Sequence, residues 1–583
     1  MPDDIQLADG LAGRPRQRSL ALKRWKALEG ERQKGWESHW RDIAQNLLPR
    51  QSRFLGEERN RGGDRNQSII DSTGTRALRT LAAGMMSGMT SPARPWFRLG
   101  LDDEDLQEDY AVKVWLSQCT KLMLHIFAKS NTYNTLHMMY RELGGFGTGC
   151  AVLQPNFNTV IHHNPLTIGE YALGINHEGV VDKMGREFKL TVEQAANWFG
   201  YKALSATARN AYDQANYGHE INIVHLMEPR EERDPSKRDN KNMAYRSCYW
   251  DKNANNPVDN YGLLREGGYR DFRALAPRWD VLFGDVYGSS PGMEALGDLK
   301  QLQHGQFKKA KAIDYQADPP LQVPTSLRAN GADFLPGGTS YYDPNMPNGG
   351  IRTAFEVQLD IGALREDIMD VRERINSAFY SDMFLMLAES DKNMTATEVA
   401  ERHEEKLTLL GPVLSRLHGE MLNPLVSMTF QRCLEARLLP PAPEELTGAE
   451  LQVEYISTIA QAQKAIQVNS TDRLLGHIGM IVQLTGDTSA MDKFDQDKSI
   501  ERYADQLGVD PELIVPGEQV ALIRQNRAQQ IAAAQAAEQA EKIASAGAKA
   551  GSIQTGPLPE NNAATDIMGL FSGMQSPTAV EVG

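Results

Sequence analysis

Two glycine-rich segments and a cluster of lysines are the stretches of this 583-residue sequence whose residue types and spacing suit chemistry. Gly144 to Gly149, GGFGTG, resembles a loop that cradles phosphate. No strand-then-helix frame with Lys and Ser or Thr follows it, and G-K followed by Ser or Thr occurs nowhere, so the segment reads as a tight turn between helix and strand. Gly288 to Gly292, GSSPG, matches the G-x-S-x-G nucleophile elbow, after a candidate strand and before a helix. Pro291 directly follows Ser290 and removes the backbone donor that an elbow needs there. The alternating βα units of a hydrolase are also missing. Ser289 or Ser290 therefore reads as a helix cap. His162 and His163 are adjacent, point to opposite faces of a strand and are poorly placed to share a metal. His403-Glu404-Glu405-Lys406-Leu407 fails the H-E-x-x-H pattern at its last position. The residues thus assign no catalytic group, no metal ligand and no cofactor. Lys308, Lys309 and Lys311 sit near the end of a helix, where they suit a transient contact with a phosphate backbone or simply a solvated face. Arg524, Arg527 and Lys542 read as solvated.

The elements that would position these groups follow from the apolar spacing. Leu364, Ile368, Val371, Ile375 and Phe379 form one helical stripe. Leu407, Leu410, Leu414, Leu417, Met421, Leu425 and Met428 form another. Between them Ser390, Asp391, Lys392 and Asn393 break the pattern, and Thr395 with Glu398 three residues on suits a capping box. Pro291 opens an earlier helix whose face is Met293, Leu296, Leu299 and Leu302, running to about Tyr315. Asp318 to Gly350 is rich in Pro and Gly and suits short strands and turns. A helix over about Leu359 to Leu387 returns from it. Helix, small β insertion, helix describes a stalk with a tip.

Upstream, Trp25, Leu28, Trp36, Trp40, Ile43 and Leu47 place one helical face before Pro49. Helices are expected over Ser72 to Met89, Leu106 to Phe127 and Thr135 to Leu143, with an extended turn at Ser91 to Phe97. Strands are expected at Cys150 to Gln154, Thr159 to Ile161, Glu187 to Leu190, Ile221 to Met227, Tyr245 to Trp250 and Arg278 to Phe283, with Thr191 capping a helix over Val192 to Phe199. Residues 1–285 thus read as one α+β domain. After the break at LLPPAP, a helical region is expected over Gly448 to Gln530, extended by the Ala- and Gln-rich stretch to Ala546. Gly547 to Gly583 reads as a mobile tail.

Sixty-two Lys and Arg against 76 Asp and Glu give a net charge of −14, which argues against a protein that grips nucleic acid with its whole surface. It is compatible with a wall past which DNA slides, since each neutralised phosphate adds binding and hence friction. Cys119, Cys150, Cys248 and Cys433 are far apart and support neither a zinc ribbon nor a disulfide scaffold. A reducing cytoplasm fits this usage. No signal peptide and no run of about 18 apolar residues is found, so no membrane anchor is expected.

LAAGMMSGMTSPARPWF, ELGGFGTG, YGSSPGMEALGDLKQLQ, MTATEVAER and LGPVLSRLHGEMLNPLV, in that order, resemble the portal, or head-to-tail connecting, proteins of short-tailed bacteriophages (podoviruses). The resemblance runs from about Ala21 to Gln530. It implies an α+β, mainly helical subunit that assembles as a dodecameric ring at one capsid vertex. Double-stranded DNA passes along the axis without sequence specificity. The implied parts are a wing (1–285), a two-helix stem (286–316 and 358–387) and a small β-containing clip (317–357). A channel loop and long kinked wing helix (388–437, with Pro412 and Pro424), a helical crown or barrel (448–546) and a tail (547–583) complete them. The implied partners are a terminase, a scaffold protein, the major capsid protein and tail adaptor proteins, in a virion made in the host bacterial cytoplasm. Lys308, Lys309, Lys311 and the loop Ser390, Asp391, Lys392 and Asn393 are the expected DNA contacts. Another virion structural protein, such as a tail adaptor or capsid protein, and a serine esterase resting on GSSPG stay open as alternatives.

Overall fold

The computed structural model describes residues 14–51, 53–54, 68–101, 103, 106, 109–237, 239–253, 263–317, 321–322, 352–353, 361–389, 410–446 and 451–455, and, further on, scattered residues together with 517–551. The chain forms two compact units, residues 1–491 and 492–583.

The first unit opens with α1 (Arg14–Gly35) and α2 (Glu37–Asn46). The sequence suggested one helical face up to Pro49. The structure breaks it at Trp36 and ends it at Asn46, because the two halves serve different cores. Ala21, Trp25 and Leu28 of α1 lie on one sheet, whereas Trp40, Ile43 and Ala44 of α2 enter the main helical core. Next come α3 (Thr73–Met89), β1 (Phe97–Leu101), α4 (Tyr110–Lys129) and α5 (Thr132–Phe146). Strands β2 (Cys150–Asn156), β3 (Val160–Leu166), β4 (Tyr171–Ile175) and β5 (Val181–Thr191) follow, then α6 (Val192–Phe199), α7 (Ala206–Asp213), β6 (Glu220–Pro229), β7 (Tyr245–Asp251), β8 (Arg265–Tyr269) and β9 (Ala274–Leu275). Thr191 caps α6 in a full capping box with Gln194.

The strands β4-β5-β6-β7-β8 form an antiparallel sheet and β3-β2-β9 a smaller one. Strand alternation sorts β6 cleanly: Val224 and Leu226 face α1, while Ile221 and Ile223 face Val192, Ala195 and Ala208 of α6 and α7. Gly185 leaves room for the Trp25 ring, which occupies the place a Cβ would take.

The expected strand at 278–283 is absent. Arg278 and Asp280 make only isolated bridges, to Thr148 and Ser289, and Leu282 and Phe283 stand exposed. The apolar pair that suggested a strand lies at the tip of a turn.

Then come α8 (Pro291–Glu294), α9 (Leu296–Ala317), the short antiparallel pair β10 (Leu321–Gln322) and β11 (Arg352–Thr353), α10 (Ile361–Ala378) and α11 (Ser381–Glu389). The helix expected over 359–387 is broken at Phe379 and Tyr380, where Tyr380 takes φ +54°. Fully buried Phe379 fixes the bend, and an αL residue terminates α10 as a C′ glycine ordinarily would.

Helical residues 410–417 lead through a π-turn, His418–Leu422, into α12 (Asn423–Glu435). Leu410, Leu414, Leu417, Met421, Leu425 and Met428 are all buried. Pro424 follows the π-turn directly and falls in the first turn of α12, so the widened turn absorbs its missing donor.

The region expected to be helical from 448 begins instead with β12 (Leu451–Tyr455), which pairs antiparallel with β1. Pairing partners more than 300 residues apart leave no local signal. In the second unit, α13 (Gly517–Gly551) contains the expected Ala- and Gln-rich helix, and Arg524 pairs with Asp497. The loop 390–393, Leu407, the Thr395–Glu398 box, most of 318–350 and the tail beyond 551 lie outside the described residues.

Candidate functional site

The hairpin of α9 and α10 carries the candidate lysines, and its base is where the chemistry-like motifs converge. Gly144 to Gly149 ends α5, and Gly288 to Gly292 opens α8. The two segments meet backbone to backbone. Gly147, at φ +78°, has the Gly288 carbonyl where a side chain would start, and Gly292 lies against the carbonyls of Gly145 and Gly144. Trp279 N donates to Gly147 O at 2.8 Å, and Gly288 N donates to the Thr148 hydroxyl at 2.9 Å. Ser290 Oγ accepts from Met293 N at 3.0 Å and donates to Gly145 O at 2.9 Å. It is 1% exposed and caps α8, with Pro291 at the first helical turn. Together the two glycine motifs are a close-packed joint that fixes where the hairpin leaves the body, and this excludes the elbow reading of GSSPG, since the hydroxyl is buried and engaged.

The two hairpin helices run antiparallel: Asp298 pairs with Arg374 at 3.4 Å, and seven residues further along α9 Gly305 meets Ile368. Ile368, Val371, Ile375 and Phe379 are buried as the stripe required, with Leu364 packed against them. A second fastening, unmarked by any motif, holds both helices to the start of α3. The Gln303 amide accepts from the backbone N–H of Ile70 and Asp71 at 2.7 and 2.8 Å and donates to Asp71 O at 2.9 Å. Asp71 Oδ2 accepts from Gln306 at 2.7 Å and from both Nε and a terminal nitrogen of Arg372, the latter at 2.7 Å. Its Oδ1 accepts from the Thr73 N–H and hydroxyl. Burial pushes this carboxyl up, but the bonds from Thr73, Arg372 and Gln306 outweigh burial and hold it at about 2. A third clamp joins the 278–285 turn to the π-turn: buried Arg278 donates to Glu420 Oε1 at 2.6 Å, and through its other nitrogen to Asp285 O at 3.2 Å.

Lys308 and Lys311 lie exposed on α9, and Lys309 is half-buried. Lys311 Nζ sits 5.6 Å from the Tyr315 ring centroid. Lys300, two turns before Lys308, is paired with Asp42 at 2.6 Å. Ser390, Asp391, Lys392 and Asn393 lie outside the described residues. His163 is buried against Thr132 while His162 is exposed, as opposite strand faces require. No cluster of three or more His, Cys, Asp or Glu suited to a metal occurs among the described residues, and no described helix is long and apolar enough to cross a membrane. Sequence reasoning missed Asp71, Gln303, Arg372, Arg278 and Glu420. The only local signal was the Asp-Ser-Thr run before α3.

A family model described as bacteriophage head to tail connecting protein matches residues 18–515. The chain belongs to this family. Among curated relatives of this head to tail connecting protein, the probable portal protein of Bordetella phage BPP-1 is 53% identical over 558 residues, covering 96% of this chain and 99% of the relative. The portal protein of Salmonella phage epsilon15 is 42% identical over 517 residues, covering 88% and 92%. A chain from the neck of an empty GTA particle aligns over 71% of this chain and 88% of its own at 10% identity, with a TM-score of 0.31, too low to carry an argument.

Proposed function

We propose that this protein is a portal subunit: it forms the ring at one capsid vertex, lets DNA in during packaging and out during ejection, nucleates the head and joins it to the tail. The observation that carries this reading is similarity to two phage portal proteins, at 53% identity over 96% of the chain and 42% over 88% of it. The physical features agree with it. An antiparallel two-helix hairpin, fastened rigidly at its base by the glycine joint and the Asp71 clamp, suits the stem. Residues 1–285 then belong to the wing, 317–357 to the clip, 388–437 to the channel loop and long wing helix, and 448–546 to the crown, with β12 the part of that stretch that returns to the wing.

The assembly is a dodecamer in the virion, and duplex DNA, terminase, scaffold protein, major capsid protein and tail adaptors are its partners. The protein works as a passage and has no catalytic step of its own; the ATPase is a separate terminase. Lys308, Lys309 and Lys311 touch the passing phosphates, while the acidic remainder of the chain limits sticking. End-on electron microscopy of the purified protein tests the assembly: closed rings with a central hole support it, and a monomer both with and without scaffold protein refutes it. Changing the three lysines to Glu and measuring packaged genome length tests the contact, and normal packaging refutes that assignment alone.

A further inference from the structure

Residues 72–101 and 110–141 contain no Asp or Glu, yet carry eight Lys and Arg, in a chain of net charge −14. These residues are α3, β1, α4 and most of α5. Where α3 packs on α5, Gly144 lies against Leu78 and Leu81. Beside this contact, Arg76 and Arg79 project from α3 one turn apart, and His137 and Arg141 lie one turn apart on α5. Arg76 and Arg79 are exposed, and Arg141 is half-buried.

None of these three arginines has a salt bridge among the described residues, and the Arg141 Nε is buried without a hydrogen-bond partner. Burial lowers the Arg141 pKa, neighbouring Glu142 opposes this, and Arg79 lowers it further, so the two guanidiniums are close enough to repel. Glu142, whose charge favours the Arg141 guanidinium, is 2% exposed, and its Oε2 accepts the Ile168 N–H. Several arginines elsewhere in the chain are paired. Arg24, Arg53, Arg278, Arg372 and Arg374 all meet carboxylates. Exposed guanidiniums without a salt bridge, on a stretch free of Asp and Glu, present a positive potential to an external anion.

We infer that Arg76, Arg79 and Arg141 form a phosphate-backbone contact site for duplex DNA on the α3–α5 face, separate from Lys308, Lys309 and Lys311. The inference rests on the portal reading, which is what brings duplex DNA to the protein. The cluster offers guanidinium forks and no aromatic stacking platform or amide reader, so the contact is to backbone and independent of sequence.

The test uses the full-length protein, checked for rings by microscopy, and a short fluorescein-labelled duplex whose anisotropy is followed from roughly 50 to 200 mM salt. Each lost phosphate contact lowers the slope of log K against log salt by about 0.9. Arg76→Gln with Arg79→Gln, at exposed positions that leave folding intact, lowers it by about 2. Adding Arg141→Gln lowers it by nearly 3. Replacing Lys308, Lys309 and Lys311 by Gln leaves this part of the slope in place. An unchanged slope in ring-forming arginine variants overturns the site without touching the portal reading, whereas absence of rings in the wild type overturns the portal reading first. Displacement of labelled poly-glutamate, but not of DNA, by the arginine changes assigns the cluster to an acidic protein segment and overturns the DNA assignment.

Discussion

Replacing Asp71 by Asn removes the charge that ties both hairpin helices to α3. The carboxyl is held at about 2 in the fold and returns to about 3.9 when unfolded. A difference of roughly two units corresponds to about 2.6 kcal/mol at neutral pH. Asp71 is 7% exposed but Arg372 is 43% exposed, so solvent screens one partner and about 2 kcal/mol is the expected loss. Because the folded pKa is depressed, the stabilisation is complete above the unfolded value and disappears as pH falls from about 4 to about 2. Hydrogen exchange is the assay of choice, since the amides of Ile70 and Asp71 donate to Gln303 and report opening of the clamp directly. At neutral pH the Asn variant should exchange them about 30-fold faster than wild type, the factor equivalent to 2 kcal/mol. The ratio should shrink toward one as pH approaches 2. Equal protection at neutral pH, or a ratio that does not change between pH 5 and 2, refutes the claim that the ionised carboxylate holds the hairpin.

Gly147→Ala should destabilise by about 3 kcal/mol or more, because a Cβ meets the Gly288 carbonyl and φ is +78°; urea unfolding measures it, and a loss below about 1 kcal/mol would show that the joint yields. Glu420→Gln leaves buried Arg278 without its counter-charge and should reduce stability by about 2–3 kcal/mol, less than a fully buried pair because Glu420 is 22% exposed; a melting temperature equal to wild type argues against that clamp. At position 380, Gly should be more stable than Ala by about 1 kcal/mol, the reverse of the usual helix order, because the residue sits at φ +54°. Ala at least as stable as Gly would show that the bend is not held in the left-handed region.

The hairpin was legible because Ile368, Val371, Ile375 and Phe379 repeat at helical spacing and all point inward. The Ser290 cap was legible too, since Pro291 beside it removes the donor that the rival chemistry needs. The expected strand through Leu282 and Phe283 failed because those side chains are exposed at a turn, where apolar character no longer reports burial. Tyr380 failed because a helix end marked by Gly is readable and one imposed by packing on buried Phe379 is not.

The sequence alone determined the helical period of the hairpin, the caps at Thr191 and Ser290, the lack of a nucleotide-binding motif, and the family resemblance, since all of these are written in residues a few positions apart. Only the tertiary structure decided that GGFGTG and GSSPG are two halves of one joint, that β12 returns to β1, and that Asp71 holds Gln306 and Arg372. Those contacts join positions that are from about 140 to more than 350 residues apart. A glycine kept bare for a carbonyl, or a carboxylate kept ionised for a distant guanidinium, has no periodicity, and its meaning exists only once the chain has closed the loop between the partners.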